Sequence, residues 1–312
     1  MMQHFIHHLL RFSCLFAVVS SCSWLDPSDP VDDLFSNPPD TSNLLPLPTS
    51  TTAAYRQELI RKEQYLADGK QRQTGNVATP KDGDDFRFQN LDGIRWENAQ
   101  VRRGDFRGVS FRTALADGSI FTGSDFRLAD LRWSSFDESR MDHCDLSQSV
   151  LFRTSVNDAC LDSADFRGAN MFGVKGHRSS FINADFSNAL MKESELMDSN
   201  FSHSKAIKVK FIITVFSGSR FDSADYSYSD FTGAGLETCS FVHARLHEVS
   251  FKGAHLQEAD FSGADLLGAD FYAAELAETN FAGAKNIPAD LLPFINEEGL
   301  ATGIVFSKNG GH

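Results

Sequence analysis

Cysteine is scarce in this chain, and its placement excludes the roles it usually plays in small scaffolds. Five Cys are scattered over 312 residues without a CxxC pair, which argues against a zinc ribbon and against a disulfide scaffold. Long apolar runs are missing too, since none reaches the roughly 18 residues of a membrane-spanning helix. Basic residues number 29 against 42 acidic ones, for a net charge of −13. A general nucleic-acid binder needs a basic face, so the composition argues against that class.

Aromatic residues are few except for phenylalanine, which recurs with a strict period. The chain has 3 Trp and 5 Tyr but 28 Phe. Every fifth residue from Phe86 to Phe281 is large and apolar at all but three of forty positions, with 19 Phe and 11 Leu among them. Only Ala116, Gly176 and Ala206 break the rule, and the phase never slips. The residue two before each of these centres is small almost throughout.

A period of five matches neither an α-helix nor a long strand. A centre and the small residue two before it lie on one face of an extended chain. The next small residue comes three after the centre and breaks that alternation, so the chain must turn a corner in every repeat. It therefore coils around an inside filled by one large and one small residue per repeat, because two large residues would overfill it.

A second period predicts the number of sides. The triplet Asp-Phe-Arg recurs at 85–87, 105–107, 125–127 and 165–167, and aspartate precedes most centres of this column. A recurrence of twenty residues means four repeats per coil, so forty repeats predict ten coils. With roughly 4.8 Å between stacked strands, the rod is expected to be about 48 Å long.

This pattern resembles the pentapeptide-repeat proteins, whose consensus is A(D/N)LXX with Leu or Phe at the centre. The resemblance covers about 196 residues. It implies an all-β fold, a right-handed quadrilateral β-helix, and together with the repeat count we expect about ten coils with short helical caps. It implies little about function, because one fold serves many activities.

The first residues are typical of a secretory leader. Arg11 precedes an apolar run at 12–19, which has the length of a signal-peptide core. The run ends in a V-S-S-C motif at Cys22 that resembles a bacterial lipobox. The resemblance implies cleavage before Cys22, lipid attachment to its thiol and, because Ser23 follows, sorting to the outer membrane. We therefore expect an envelope lipoprotein facing the periplasm or the exterior, with an ordinary signal peptide as the alternative.

Composition divides the chain into five segments. They are a signal peptide at 1–21, the lipidated Cys22 with a Pro/Ser-rich tether at 22–51, an N-terminal helix and lead-in at 52–83, the repeat β-helix at 84–285 and a C-terminal cap at 286–312. The tether has too few apolar residues to bury a core. The helix is expected over 52–68, either covering the start of the repeat or moving with the tether.

The C-terminal cap is expected to be helical and to close the last coil. Pro288 suits a first helical turn and Gly299 suits a stop. Leu291, Leu292 and Ile295 are expected to lie on the last coil. The segment 303–306 suggests an added edge strand or a contact with a second copy, so a homodimer through this cap is one expectation.

Catalytic and metal-binding motifs are missing from the sequence. It has no Gly-Lys-Ser/Thr phosphate loop, no GxSxG elbow and no HExxH. His243 and His247 are four apart, which would suit zinc on a helix, but the repeat places them on different sides of a corner. Cys144 and Cys239 are expected inside the coil, and Cys160 outside and alone. We predict no enzyme activity, no cofactor and no metal site.

The acidic repeat has two interpretations. Some members of the resembled family look like DNA, bind type II topoisomerases and confer quinolone resistance. Over 86–145, ten acidic residues face nine basic ones because arginines flank the aspartates, which predicts a self-neutralising grid. Residues 221–281 carry eleven acidic and two basic residues and could imitate phosphates. The interpretation we favour is that the repeat aspartates bond local turn amides and keep the rod soluble.

Apolar residues also occur where the repeat points outward. The candidate interaction patch comprises Val150, Phe152, Phe172, Leu190 and Ile212, which flank the centres of one column on successive coils. Ile207, Ile213 and Val215 are near in sequence, with Lys205, Lys208 and Lys210 interspersed. Such a patch often marks a partner site. Coverage by the N-terminal helix or the tether, or tolerated surface Phe, is an equal alternative.

These observations predict a non-catalytic protein-interaction or scaffold module. The expected partners are a membrane, through the lipid at Cys22, and a protein of unknown identity, with no nucleic acid. The alternative is a DNA-mimicking protein that binds gyrase and protects it from quinolones, which the secretory leader disfavours because gyrase is cytoplasmic.

Overall fold

The computed structural model describes residues 79–301. The expected signal peptide, Cys22, the tether and the helix over 52–68 lie outside these residues, as does the segment 303–306. Within the described range, almost the whole backbone belongs to one repeating unit of five residues.

Four ladders of parallel β-bridges run along the repeat, and each joins residues twenty apart. The first pairs on faces 1 to 4 are, in order, Asp85 with Asp105, Asn90 with Ser110, Arg95 with Leu115, and Gln100 with Ile120. On face 1 the pairing continues as far as Asp265 and Lys285. One face follows the next along the chain, so face 2 lies opposite face 4. The prediction of a four-sided β-helix is therefore confirmed.

Each repeat turns its corner through one residue with left-handed backbone. The residue two after a centre has positive φ, for example 58° at Asn98 and 67° at Gly168. Left-handed backbone disfavours most side chains, yet most corners here are not glycine. The corner amides are paired with the next coil, as the N–H of Asn98 is with the carbonyl of Asp117 at 2.8 Å. Those bonds hold the strained corners in place.

The apolar centres fill the inside of the coil. Phe121, Phe181, Phe201 and Phe221 are buried. From Phe181 to Phe281, six phenylalanines of one column stack on successive coils, with neighbouring ring centroids 4.7–5.3 Å apart and planes within 8°. The interior is therefore a solid column of side chains rather than a channel.

The small inward residues have a second role that the sequence analysis did not predict. At many of the positions that carry a hydroxyl, the hydroxyl donates to the carbonyl of a centre residue in the coil before. Examples are Ser124 to Val101 at 2.9 Å, Thr154 to Leu131 at 2.7 Å and Ser219 to Leu196 at 2.7 Å. Buried hydroxyls are costly unless bonded, so these bonds let serine replace alanine inside the coil.

At the centres occupied by Gly176 and Ala206, neighbouring side chains fill the space that a large residue would take. At Gly176, an added Cβ would lie 2.8 Å from a methyl of Leu196 and 3.0 Å from one of Val156. Below Ala206 in the same column stands Tyr226, which is fully buried. Its hydroxyl lies 2.9 Å from Oγ of Ser204, two residues before Ala206. The small side chain of Ala206 therefore leaves no gap in the packed interior.

Substituting Tyr226→Phe is expected to lower the free energy of unfolding by about 1–2 kcal/mol, because it leaves the buried Ser204 hydroxyl without this partner. Adding Ser204→Ala should recover part of the loss. Urea unfolding of the two single variants and the double variant measures the coupling. Strict additivity of the two losses would show that the Tyr226–Ser204 hydrogen bond contributes nothing.

The described part of the C-terminal cap, residues 286–301, is mostly not helical. Within it the one helical segment is a 3-10 turn, Leu292–Phe294, and the chain then returns antiparallel to the last coil, with Asn280 bridged to Leu300. Gly299 therefore serves this return rather than a helix stop. Leu291 is buried and Ile295 packs on the core, as expected. The placement of Leu292 was wrong: it is 54% exposed, and Phe294 packs on the core in its stead.

Candidate interaction surfaces

Face 1 carries an aspartate ladder that arginines of the same face neutralise in the first coils. Arg107 lies 2.7 Å from Asp105 of its own coil and 3.7 Å from Asp125 of the next. Arg127 repeats this with Asp125 at 2.5 Å and Asp145 at 3.4 Å. Each guanidinium thus joins two coils, and the predicted self-neutralising grid is confirmed.

The aspartates also bond the turn that follows them. Carboxylate oxygens of Asp185, Asp260 and Asp270 accept the N–H two residues later at 2.8–2.9 Å. Two of these are in the acidic coils of 221–281. The interpretation that repeat aspartates bond local turn amides is therefore confirmed, and these carboxylates have a structural role.

The grid lacks one arginine at position 147, where Ser147 stands, so that Asp145 keeps only the longer contact with Arg127 at 3.4 Å. Burial raises the pKa of Asp145, and the charges of Asp165 and Asp125 add to that rise. A carboxyl whose pKa is raised by folding lowers the free energy of unfolding at pH values above that pKa. The cost disappears as the pH falls through it.

Substituting Ser147→Arg is expected to raise the free energy of unfolding by about 0.5–1 kcal/mol at neutral pH, because a guanidinium that binds Asp145 as Arg127 binds Asp125 replaces the single hydrogen bond of 2.6 Å from the Ser147 hydroxyl. The gain should fade as the pH falls through the pKa of Asp145, where the carboxyl loses its charge. Urea titrations at neutral and acidic pH measure both effects. In an Asp145→Asn background the substitution should give no gain, and an equal gain there would contradict the ion-pair explanation.

Face 2 carries all five residues of the candidate interaction patch. Val150, Phe152, Phe172, Leu190 and Ile212 lie on four successive coils, and their side chains are half-buried. The rings of Phe152 and Phe172 stack, with centroids 5.4 Å apart and planes at 9°. The structure thus brings these residues together on one side, while partner binding by them stays a prediction.

The patch is larger than the sequence analysis indicated. Trp133, 40% exposed, sets its ring against that of Phe152 with centroids 5.6 Å apart. Ile213 is 61% exposed at the other end. Both occupy corner positions, two residues after a centre, and a corner residue faces the same side as the residue before it. Counting two residues on from each centre of face 2 would therefore have assigned Trp133 to the patch from the sequence. Ile207 and Val215 lie on faces 1 and 3 and do not belong to the patch.

We call the resulting surface the apolar stripe. It comprises Trp133, Val150, Phe152, Phe172, Leu190, Ile212 and Ile213. Two arginines lie over its rings, with Cζ of Arg132 5.6 Å from the Trp133 centroid and Cζ of Arg153 5.5 Å from the Phe152 centroid. Such cation–π contacts orient the rings and leave cations at the border of the stripe.

The described residues contain no cluster of three or more His, Cys, Asp or Glu that could hold a metal ion. His247 lies 2.8 Å from Asp265, and His243 packs over Gly263, so the two histidines belong to different contacts. Cys144 and Cys239 are buried and Cys160 is half-buried, all as free thiols. Between residues 79 and 301, no helix has the length and hydrophobicity needed to cross a membrane.

Surface depressions occur at both ends of the coil stack. One of about 480 Å³ lies beside Pro80, Arg95 and Trp96, and one of about 260 Å³ beside Asp270 and Leu291. Neither is lined by a histidine, cysteine or serine. Among the described residues, the apolar stripe is therefore the surface that most departs from the polar exterior of the rod.

Four bridge ladders around a solid apolar column define a solenoid repeat protein, in which each coil contacts its neighbours. The family model for pentapeptide repeats matches 8 copies, at residues 97–132, 129–168, 179–218, 239–276 and 254–285. These ranges span just over half of the chain, which therefore belongs to the pentapeptide repeat family.

Similar solved structures include other pentapeptide repeat proteins. HetL from the cyanobacterium Nostoc sp. strain PCC 7120, involved in heterocyst differentiation regulation, is 20% identical over 72% of this chain and 90% of its own, with a TM-score of 0.39. Full-length QnrB1, a plasmid-mediated fluoroquinolone resistance protein, is 18% identical over 61% and 92%, with a TM-score of 0.30. No curated protein matches the chain. At these scores the likenesses carry no argument about function.

Proposed function

We propose that this chain is a non-catalytic interaction module that binds a protein partner through the apolar stripe and is displayed on the bacterial envelope as a lipoprotein. The observation that carries the proposal is the stacked pair Phe152 and Phe172 on the outside of a rod whose inside is already filled. Contiguous apolar surface with aromatic anchors is typical of binding sites rather than of monomer exteriors.

The rest of the described surface supports a binding role over a catalytic one. Chemistry needs a pocket in which polar groups converge, whereas here the interior is packed and aspartates are engaged by arginines or turn amides. A rigid, flat-sided rod presents side chains at fixed spacing. That rigidity suits recognition of a partner, because little ordering entropy is lost on binding.

Site-specific photocrosslinking in the native host tests this function. A benzoylphenylalanine at position 172 should form an adduct with one partner, and the same probe at Val242 should not. Val242 is the matched control because it holds the equivalent half-buried position on face 4. An untagged parent chain should compete for the partner and reduce adduct formation, whereas an untagged chain with F152S and F172S should not, while its unfolding midpoint stays near that of the parent. Equal adducts from positions 172 and 242 would contradict the proposal.

The envelope part of the proposal rests on the motif at Cys22. Labelled palmitate should enter the chain and be lost in Cys22→Ala, with the mature protein found in the outer-membrane fraction. A full-length cytoplasmic chain that shields gyrase from quinolones would instead support the alternative function of a DNA mimic. That alternative has no specific observation in its favour, since the first coils of the aspartate ladder are neutralised.

A homodimer through the C-terminal cap also stays a proposal. Its support is the exposure of Leu292 and Leu300, at 54% and 37%, on the cap. Sedimentation of the full chain and of Leu292→Asp tests it, and identical monomer mass for both would contradict it.

A further inference from the structure

Most arginines and lysines of residues 79–301 are ion-paired, and five of the eight that are not lie beside the apolar stripe. These five are Arg153, Lys192, Lys205, Lys208 and Lys210, none of which has an acidic side chain within 4.0 Å among the described residues. The other three, Lys81, Arg103 and Lys285, lie near the two ends of the repeat, while most arginines and lysines find partners, as Arg112 does in Asp92 at 2.6 Å and Lys252 in Asp270 at 3.4 Å. A local excess of positive charge therefore borders the stripe in a chain of net charge −13.

The two halves of the stripe differ in chemistry. The aromatic half, Trp133, Phe152 and Phe172, lies on three successive coils. The lysine half carries Leu190, Ile212 and Ile213, with Lys192 and Lys210 on the same face; Lys208 occupies the corner that follows face 1. Within this half, Lys192 and Lys210 outnumber the acidic Glu193, and Asp230, which is bridged to Lys210 from the next coil, lies more than 4.0 Å from its ammonium group.

A partner must recognise the apolar stripe through its side chains rather than through its backbone. The backbone of the stripe is already paired with neighbouring coils, as the N–H of Val150 is with the carbonyl of Ala129 at 2.9 Å. Strand addition is therefore not available here. From Trp133 to Ile213 is four coil steps, or about 19 Å at roughly 4.8 Å per step. That length fits a short peptide segment, either extended or helical.

The shape of the stripe favours a peptide over a lipid surface. Its five central residues are half-buried and form a shallow surface, whereas membrane insertion needs apolar side chains that protrude beyond the charged ones. A peptide can place apolar side chains against the rings and carboxylates against the lysines within the same 19 Å span, which is about four coil steps.

We propose, on the basis of the proposed function, that the partner contributes an acidic and apolar peptide segment. Its apolar side chains pack on the aromatic half, and its carboxylates meet Lys192 and Lys210. Electrostatic complementarity of this kind sets partner choice and orientation, because a basic segment would meet like charge. The lysines remain unpaired in the chain itself because their ion partners are on the other molecule.

Selection from a random twelve-residue peptide display library against the full chain tests the partner class. We expect the enriched peptides to carry net negative charge and to combine Asp or Glu at one end with aromatic or aliphatic residues at the other. Binding of a selected peptide, measured by fluorescence polarisation, should weaken about tenfold or more in the charge-reversal pair K192E and K210E. It should also weaken with added salt.

A second charge-reversal pair provides the matched control. Lys81 and Lys285 are exposed and lie at the two ends of the described repeat, so K81E and K285E change the net charge equally without touching the stripe. Equal loss of peptide binding in both pairs would overturn the proposal, since it would reflect net charge alone. Peptides that need Phe152 and Phe172 but carry no acidic residues would overturn the partner class and leave the proposed function standing.

Two further outcomes separate the remaining possibilities. If no enriched peptide responds to F152S and F172S, and if a competing chain with F152S and F172S still suppresses the crosslink from position 172 as the parent chain does, both the partner class and the proposed function are overturned. Sedimentation with phosphatidylglycerol vesicles that is lost in K192E and K210E, without any enriched peptide, would replace the peptide with an anionic membrane surface.

Discussion

Substituting Phe221→Ala is expected to lower the free energy of unfolding by about 3–5 kcal/mol. Phe221 is fully buried and stands inside the phenylalanine column, with ring centroids 5.1 Å from Phe201 and 4.8 Å from Phe241. Removing the ring leaves a cavity between two coils whose backbones are fixed by the four ladders, so the site cannot collapse. Chemical denaturation followed by circular dichroism measures the loss.

The matched variant is Phe221→Leu. Leucine occupies 11 of the forty centres, so the repeat accepts its shape, and we expect a loss of about 1.5 kcal/mol or less. In a chain of coils stabilised by nearest neighbours, the alanine variant should also raise hydrogen exchange first in the coils on either side of Phe221. Similar losses for alanine and leucine would show that the column is not close-packed at this point.

Substituting Gly299→Ala is expected to detach the C-terminal return from the last coil, at a cost of about 2–4 kcal/mol from backbone strain and overpacking together. Gly299 has a φ of +87°, and an added Cβ would lie 2.8 Å from both the N and the Cα of Ala282. Backbone atoms cannot move aside as a flexible side chain can. Faster hydrogen exchange at Phe281, whose N–H donates to the carbonyl of Gly299 at 2.7 Å, reports the detachment.

Gly253→Ala is the matched control for this effect. Gly253 also has positive φ, at +60°, but nothing lies within 4 Å of an added Cβ. It occupies a corner position at which other residues are common. Its substitution should cost about 1 kcal/mol or less and leave the cap in place. Equal effects of the two substitutions would mean that φ alone, and not the contact with Ala282, requires glycine at position 299.

The fold could be predicted because one repeat unit is used many times. One exception such as Ala206 does not weaken the prediction, because forty positions in phase define the geometry of the coil. What escaped prediction arises between coils. The hydrogen bond from the Ser124 hydroxyl to the Val101 carbonyl joins residues 23 apart. The Tyr226 hydroxyl lies beside that of Ser204, which belongs to the coil before. Such contacts depend on which side chains the coiling places above one another, and a five-residue pattern does not contain that information.

The candidate site was predicted in part. Val150, Phe152, Phe172, Leu190 and Ile212 could be assigned to one side because their repeat positions share a face. Trp133 was not predicted to belong to the patch, because it lies at a corner, where the in-and-out alternation of strand residues does not apply. The absence of ion partners for Lys192 and Lys210 also escaped, because pairing depends on the distances between charges on stacked coils. The helical cap was overestimated at Pro288 because an exposed coil edge can be closed by an antiparallel return as well as by a helix.

The amino-acid order alone determined that the chain winds around an apolar interior, because of the strict period of five, and that it has four sides, because the aspartate column recurs every twenty residues. The neighbours that each outward side chain meets were decided only by stacking. A difference of a few ångströms between charged groups on stacked coils decides whether an aspartate is bound by an arginine. The same difference decides whether a lysine is ion-paired within the chain or is available to a partner.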